Sequence, residues 1–109
     1  MPSYLVQLSY TSAALAGLME HPQDRNDAVR KPIEKLGGKV ERFYLSFGKY
    51  DVVGIVEMPN NVSAAAFSMA LGAGGACADV LTTPLMTTEE GLEIMKKAAS
   101  CGYKAVTKK

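Results

Sequence analysis

The chain has 109 residues and carries 12 Lys and Arg side chains against 11 Asp and Glu. This length is typical of one domain, and the balanced charge excludes the strongly positive surface that phosphate-dominated nucleic-acid binding requires. No apolar run approaches the roughly 18 residues of a membrane-spanning helix, and the N-terminus lacks the basic and apolar segments of a secretory leader. We therefore expect a single-domain cytoplasmic protein without nucleic-acid or membrane partners.

Residues that could bind metals or form disulfides are scarce. Cys77 and Cys101 form no Cys-x-x-Cys pair and are too few for a disulfide framework, so we interpret both as reduced thiols. His21 is the only histidine, and no second His or Cys lies at the spacing of a zinc or haem ligand set. The sequence therefore predicts neither a metal site nor a cofactor.

The first three elements are a strand and two helices. Residues 4–10 alternate between two sets of side chains with the period of a half-buried strand. Thr11 can cap the helix that follows, which we expect to end near His21. A second helix is predicted up to Gly37-Gly38, whose positive φ would close its C-terminus. Because Pro32 lies inside this pattern and proline has no amide hydrogen, we expect a kink or a new helix start there.

A tight hairpin joins the next two strands. Residues 40–47 form the predicted second strand, the third begins at Asp51, and Gly48 supplies the conformational freedom that the turn needs. The two strands are therefore expected to be antiparallel neighbours. Strict alternation divides the second strand into two faces, one with Glu41, Phe43, Leu45 and Phe47 and the other with Val40, Arg42, Tyr44 and Ser46.

A helix and a fourth strand follow the hairpin. Asn60 marks the start of an alanine-rich helix, which ends at the glycines within residues 72–75. Residues 76–86 have the composition of a strand. Since proline cannot donate to a second neighbouring strand, Pro84 indicates either that this strand lies at an edge of the sheet or that the chain leaves the sheet there.

A last helix closes the pattern. Thr87 and Glu90 have the spacing of a capping box, in which each side chain bonds the other residue's amide at a helix N-terminus. We place a single domain at residues 1–99 and a loose tail at residues 100–109.

The order of these elements defines a fold class. The succession βαββαβ with a terminal helix is the ferredoxin-like α+β arrangement, a four-stranded antiparallel sheet with helices on one face. Residues 52–56, Val-Val-Gly-Ile-Val, lack the alternation expected if one face of the sheet met water. Since two helices cover only one face, we expect a second copy of the sheet to cover the other, in a homodimer or higher homo-oligomer.

The Gly-x-Tyr-Asp sequence of Gly48, Tyr50 and Asp51 in the hairpin resembles the signature of the GYD family, small bacterial proteins of uncertain biochemical role. The resemblance runs over residues 4–95 and includes Leu36-Gly37-Gly38-Lys39-Val40, Asp51-Val52-Val53, Val56-Glu57-Met58-Pro59 and Thr82-Thr83-Pro84-Leu85. It implies a ferredoxin-like fold within the dimeric α/β-barrel group. That group includes cofactor-independent monooxygenases, haem proteins, isomerases and ligand binders, so the resemblance implies no particular activity.

Two side chains are candidates for catalysis. His21 belongs to the residue type that most often transfers protons near neutral pH. Tyr50 can form a proton relay with Asp51 if both face one cavity. Other roles compete with these: His21 can cap helix carbonyls at the surface, and Tyr50 can pack at a dimer rim, because neighbouring strand residues point to opposite faces.

Three further residues are candidates for ligand binding. Arg42 and Tyr44 share a face of the second strand and can orient a small anion or a carbonyl group in an apolar pocket. Asp51 is the third candidate, although an aspartate in this position often bonds backbone amides instead. For Arg42 the alternative is an ion pair between subunits.

These observations leave the function undetermined. The sequence contains no nucleophile with an adjacent base and no metal spacing, which favours a ligand-binding or accessory module with a small apolar or carbonyl-bearing ligand. One alternative is a cofactor-independent monooxygenase or isomerase, in which Tyr50 or His21 handles the proton and Arg42 steadies an oxyanion. A purely structural assembly unit is the other. A cavity lined by converging polar side chains would favour the first two over the third.

Overall fold

A computed structural model describes residues 1–106 and contains four strands and four helices. The strands are β1 (Ser3–Tyr10), β2 (Lys39–Leu45), β3 (Val52–Glu57) and β4 (Cys77–Leu85). The helices are α1 (Ser12–Glu20), α2 (Asn26–Lys35), α3 (Asn61–Ala73) and α4 (Thr88–Ser100). The predicted tail at residues 100–109 thus begins in the last residue of α4, and its residues 107–109 lie outside the described part of the chain.

The four strands form one antiparallel sheet in the order β2-β3-β1-β4. This order and the βαββαβ succession confirm the ferredoxin-like α+β fold predicted from the sequence. β4 is an outer strand, which is one of the two alternatives indicated by Pro84, because an edge position needs no second ladder bond. Within residues 1–106, no helix is long and apolar enough to cross a membrane.

The core lies between one face of the sheet and helices α2 and α3. Tyr4, Val6 and Leu8 alternate along β1, and each is at most 3 % exposed. Ile33 of α2 and Phe67 of α3 belong to the same buried cluster as Tyr4 and Val6. Because each large apolar side chain that is fully buried contributes about 1.5–3 kcal/mol, this layer supplies much of the stabilisation of the fold.

The opposite face of the sheet carries the intervening strand residues. Leu5 lies opposite Ile55, and Gln7 lies between Val53 and Leu81. Within the described residues none of these side chains belongs to the buried cluster, and Leu81 is 44 % exposed. The sheet therefore has a second, partly apolar face, which we call the open face.

A bulge in β2 breaks the alternation expected for that strand. Val40 pairs with one residue of β3 and Arg42 pairs with the next, so Glu41 is an extra residue. Val40 and Phe43 both pack against the buried cluster. The predicted division of β2 into two strictly alternating faces is therefore wrong. Because Glu41 is an extra residue, Val40 lies on the core side of the sheet and no longer shares a face with Arg42.

Helix α2 continues through Pro32 as one element. Of the two alternatives expected at this proline, the new helix start is therefore wrong, and the kink stays a prediction. Val29 and Ile33 lie on the two sides of Pro32 and both are buried. Their packing on the sheet offsets the hydrogen bond that the proline cannot make, since tertiary contacts supply most of the stability of helices in proteins.

The two glycines after α2 have different roles. The Gly37 amide donates to the Glu34 carbonyl at 3.0 Å and the Gly38 amide to the Ile33 carbonyl at 2.9 Å, which is a Schellman closure. Gly37 has a φ of 86°, whereas Gly38 has no positive φ. A Cβ on Gly38 would lie 2.5 Å from the Glu57 carbonyl oxygen. The second glycine is therefore needed for close packing rather than for its backbone conformation.

Helix α4 leaves the edge of the sheet without packing on its own domain. The Glu90 amide donates to Thr87 Oγ1 and the Thr87 amide donates to Glu90 Oε1, so the predicted capping box is confirmed. No residue of α4 is buried. The radius of gyration is 17.7 Å, compared with roughly 13 Å for a compact chain of this size.

We expect Gly38→Ala to lower the free energy of unfolding by about 1–3 kcal/mol, because the added Cβ meets a backbone oxygen that cannot move aside. Gly72→Ala is the matched control in α3, where a Cβ meets nothing within 4 Å. The control should raise stability by about 0.5–1 kcal/mol. Urea unfolding measures the stability of both variants. If Gly38→Ala unfolds at the same urea concentration as the wild type, Gly38 is not needed for close packing.

Candidate functional site

Three neighbouring cavities lie at the end of the sheet where β1 ends. Their volumes are about 410, 340 and 200 Å³. Tyr10 and Arg25 line all three. The two larger cavities are bordered by the segment that joins α1 to α2, and the smallest reaches the interior beside α3. We call this group of cavities the Tyr10 site.

Bonds to neighbouring segments hold the end of β1 in place. The Tyr10 amide donates to Asp51 Oδ2 at 2.8 Å. The Thr11 amide donates to the Ala76 carbonyl at 2.9 Å. The register between β1 and β4 shifts next to Tyr10, which pairs with Cys77. These contacts fix the Tyr10 backbone in the wall that the three cavities share.

Arg25 stands at the N-terminus of α2, in a segment held by its own hydrogen bonds. Its guanidinium donates to Gln23 Oε1 at 3.0 Å, and Gln23 Nε2 donates to the His21 carbonyl at 3.1 Å. The Asn26 amide donates to Asp24 Oδ1 at 2.9 Å. Because Arg25 lines all three cavities, its positive charge lies at their shared wall.

Burial controls the ionisation of two groups in the Tyr10 site. It raises the pKa of the Tyr10 hydroxyl, and the nearby Cys77 and Asp51 add to the increase, while the positive charge of Arg25 acts in the opposite direction. Burial also raises the pKa of the Cys77 thiol. Both groups therefore stay protonated at neutral pH. Tyr10 presents a hydroxyl donor and Cys77 presents a thiol rather than a thiolate.

Apolar side chains form much of the remaining wall. Four of them line the smallest cavity: Leu8, Val29, Phe43 and Leu71. Phe43 also borders the 410 Å³ cavity. A mostly apolar wall with a few polar groups is the usual form of a small-molecule site. The Tyr10 site can therefore accept an apolar body and donate hydrogen bonds from Tyr10 and Arg25.

Two of the residues predicted from the sequence lie at this site. His21 lines the 340 Å³ cavity and also caps the C-terminus of α1, where its amide donates to the Gly17 carbonyl at 2.9 Å. Tyr44 lines the 410 Å³ cavity from β2 and is 56 % exposed. His21 and Tyr44 thus border different cavities of the same site.

The other three predicted residues lie outside these cavities. Asp51 bonds the Tyr10 amide. Tyr50 lines none of the three cavities, and Lys49 Nζ lies 5.7 Å from the centre of its ring in a cation–π contact. Arg42 is exposed on β2. The structure therefore does not bring Tyr50 and His21 together in one cavity. Within residues 1–106, no group of three or more His, Cys, Asp or Glu side chains is placed to hold a metal ion.

Tyr10, Arg25 and Cys77 are not recognisable as one group from the sequence. They come from the end of β1, the start of α2 and the start of β4, so no local spacing links them. For Tyr10 and Cys77, the order of the strands does indicate that they lie close together. Because β1 and β4 are antiparallel, the last residue of β1 and the first of β4 meet at one end of the sheet. No feature of the sequence indicates that Arg25 lies next to these two residues.

The architecture is that of a ferredoxin-like α+β domain with a group of cavities at one end of its sheet. Residues 4–95 match the GYD domain family, so the chain belongs to that family, and the resemblance drawn from Gly48, Tyr50 and Asp51 is confirmed. The family description names a domain and no activity, in agreement with a function left undetermined from the sequence.

Comparison of structures supports the fold. The chain is similar to a protein described as "crystal structure of FFRP-DM1", with a TM-score of 0.52 and 13 % identity, over 79 % of this chain and 100 % of that one. At this level of identity the similarity concerns the fold alone. No curated protein matches the sequence.

We expect Cys77 to react with iodoacetamide more slowly than Cys101 and to need a higher pH, because burial raises the pKa of the Cys77 thiol. Cys101 is exposed at the C-terminal end of α4 and serves as the internal comparison. Peptide mass spectrometry after timed alkylation from neutral to alkaline pH measures both rates. Equal rates at the two cysteines over that range would contradict the burial of Cys77.

Proposed function

We propose that this chain is a homodimeric ligand-binding module, whose Tyr10 site holds a small molecule with an apolar body and a carbonyl or carboxylate group. The observation that carries the proposal is that Tyr10 and Arg25 line three adjoining cavities. Carbonyl and carboxylate oxygens accept the hydrogen bonds that these two side chains donate. The apolar body would lie against Phe43 and Leu71, in the smallest cavity.

The charges around Arg25 limit the ligand to one acceptor group of low charge. Asp24 lines the 410 Å³ cavity and accepts a bond from a backbone amide, and Asp51, which lies outside the cavities, accepts a bond from the Tyr10 amide. Two carboxylates near the residues that line the site disfavour a multiply charged anion such as a phosphate ester. A neutral carbonyl compound or a monocarboxylate fits this balance best.

Binding is favoured over catalysis by the state of the reactive groups. The raised pKa of the Cys77 thiol keeps it protonated at neutral pH, which opposes a role as nucleophile. Tyr50 lines no cavity of the Tyr10 site, so it and His21 cannot act on one bound molecule there. In the oxygenase or isomerase alternative, His21 is available as the base because it lines the 340 Å³ cavity, but Arg42, which would steady the oxyanion, lines none of the three cavities. Binding needs only the donors of Tyr10 and Arg25.

The open face supports the homodimer. Leu5, Val53 and Ile55 occupy its central strands, and Leu81 extends the apolar surface onto β4. Within residues 1–106, none of these side chains belongs to the buried cluster formed with the helices. A second copy related by a two-fold axis would bury the same patch on both chains. The two sheets would then pack face to face at a spacing of about 10 Å.

We expect protein purified from its own host to carry the ligand, and Arg25→Gln and Tyr10→Phe each to weaken binding by about tenfold, because each removes a hydrogen bond from a partly desolvated site. Native mass spectrometry gives the mass of the ligand and the bound fraction. Lys31→Gln removes a positive charge and Tyr103→Phe removes a phenol hydroxyl at exposed positions, and both should keep the wild-type bound fraction. Wild-type binding by both site variants would overturn the proposal.

We expect light scattering at micromolar concentration to give twice the 11.6 kDa mass of one chain. Ile55→Lys introduces a charge at the centre of the open face and should shift the protein towards monomer. Val62→Lys is the matched control on α3, where the side chain is 79 % exposed, and should leave the dimer intact. Circular dichroism establishes that both variants fold. A monomer mass for the wild type would rule out the homodimer.

A further inference from the structure

Helix α4 carries an apolar stripe that its own domain leaves uncovered. Leu92 and Met95 lie one turn apart on the same side of the helix, and they are 55 % and 68 % exposed. Ala99 continues the stripe by another turn. Among residues 1–106, no side chain of another element buries any residue of α4.

A helix of this length has little stability by itself. α4 has 13 residues, and isolated helices shorter than about 12–15 residues are marginal in water. The capping box of Thr87 and Glu90 satisfies amides at the N-terminus but covers none of the stripe. Contact with a further apolar surface would both bury Leu92 and Met95 and stabilise the helix.

The register of the sheet fixes where α4 starts. Leu85, Ser3, Glu57 and Lys39 lie in one row across the four strands. α4 follows shortly after Leu85, so it begins at the height of Lys39, on the opposite edge of the sheet. In the proposed dimer, the position of this row therefore limits which residues of the second copy α4 can contact.

The direction of the two-fold axis decides which edge strand of the second copy lies near α4. When two sheets stack, an axis parallel to the strands places β4 of one copy over β2 of the other, and an axis across the strands places β4 over β4. β4 carries Asp79 as its only charged residue, whereas β2 carries Lys39, Glu41 and Arg42 and has a net positive charge. Glu89, Glu93 and Lys96 flank the stripe of α4 and together are net negative, so charge complementarity favours β2.

We propose that α4 is a dimerisation arm, which packs its stripe on the outer strand β2 of a second copy and pairs Glu89 or Glu93 with Arg42 of that copy. This inference rests on the homodimer proposed above. Arg42 and Tyr44 are exposed on β2, so both can contact the arm. The aromatic ring of Tyr44 adds apolar surface next to the charge of Arg42. An arm of this kind explains why α4 is formed and capped although none of its residues is buried in its own domain.

Sedimentation equilibrium on the full chain tests the stripe. The double variant Leu92→Gln/Met95→Gln should raise the dimer dissociation constant at least about tenfold, because two large apolar side chains lose their burial. Ile94→Gln is the matched control on the opposite side of α4, where the side chain is 46 % exposed, and should leave the dissociation constant unchanged. Circular dichroism of the variants checks that the domain and α4 remain folded.

A charge exchange tests the surface on β2. Arg42→Glu should weaken the dimer, and adding Glu89→Lys and Glu93→Lys to it should restore most of the affinity. Failure of this restoration would overturn β2 as the docking surface. If the double variant Leu92→Gln/Met95→Gln dimerises with the wild-type dissociation constant, the proposal that α4 is a dimerisation arm is overturned but the homodimer is not. If the wild type itself is monomeric, both proposals are overturned.

Discussion

Asp51 joins three strands, and the end of the sheet depends on it. Its amide donates to the Leu8 carbonyl at 2.8 Å, and its own carbonyl accepts from the Ser46 amide at 2.7 Å. Its carboxylate accepts from the Tyr10 amide at 2.8 Å. The side chain thus continues the bonding of β1 beyond the point where β3 turns into the hairpin. Since Tyr10 lines all three cavities, the aspartate of the Gly-x-Tyr-Asp signature shapes the Tyr10 site through the backbone.

Features with a local physical cause could be predicted from the sequence, and features that depend on distant contacts could not. The capping box at Thr87 and the closure at Gly37 follow from hydrogen bonds within a few residues. The continuous helix through Pro32 depends on packing against the sheet, and the extra residue Glu41 depends on the partner strand. The Tyr10 site combines residues from separate elements, so its composition emerged only with the fold.

The two faces of the sheet separate the proposed functions. The Tyr10 site is walled by core-side residues such as Leu8, Val29 and Phe43, whereas the proposed dimer contact uses Leu5 and Ile55 on the open face. A second copy on the open face would therefore leave the two smaller cavities accessible to a ligand. Tyr44 is shared by both proposals, because it lines the 410 Å³ cavity and lies on the surface proposed for the arm, so an effect of association on binding would act at that residue.

Both outer strands of the sheet are interrupted. β2 contains the bulge at Glu41, and β4 contains Pro84. An unbroken outer strand offers a row of free backbone groups to any extended segment, which is how sheets grow into fibres, and bulges and prolines are common protections against such growth. These interruptions protect the edges of a chain with much uncovered apolar surface against disordered aggregation, and the proposed dimer would form through faces where side chains decide the partner.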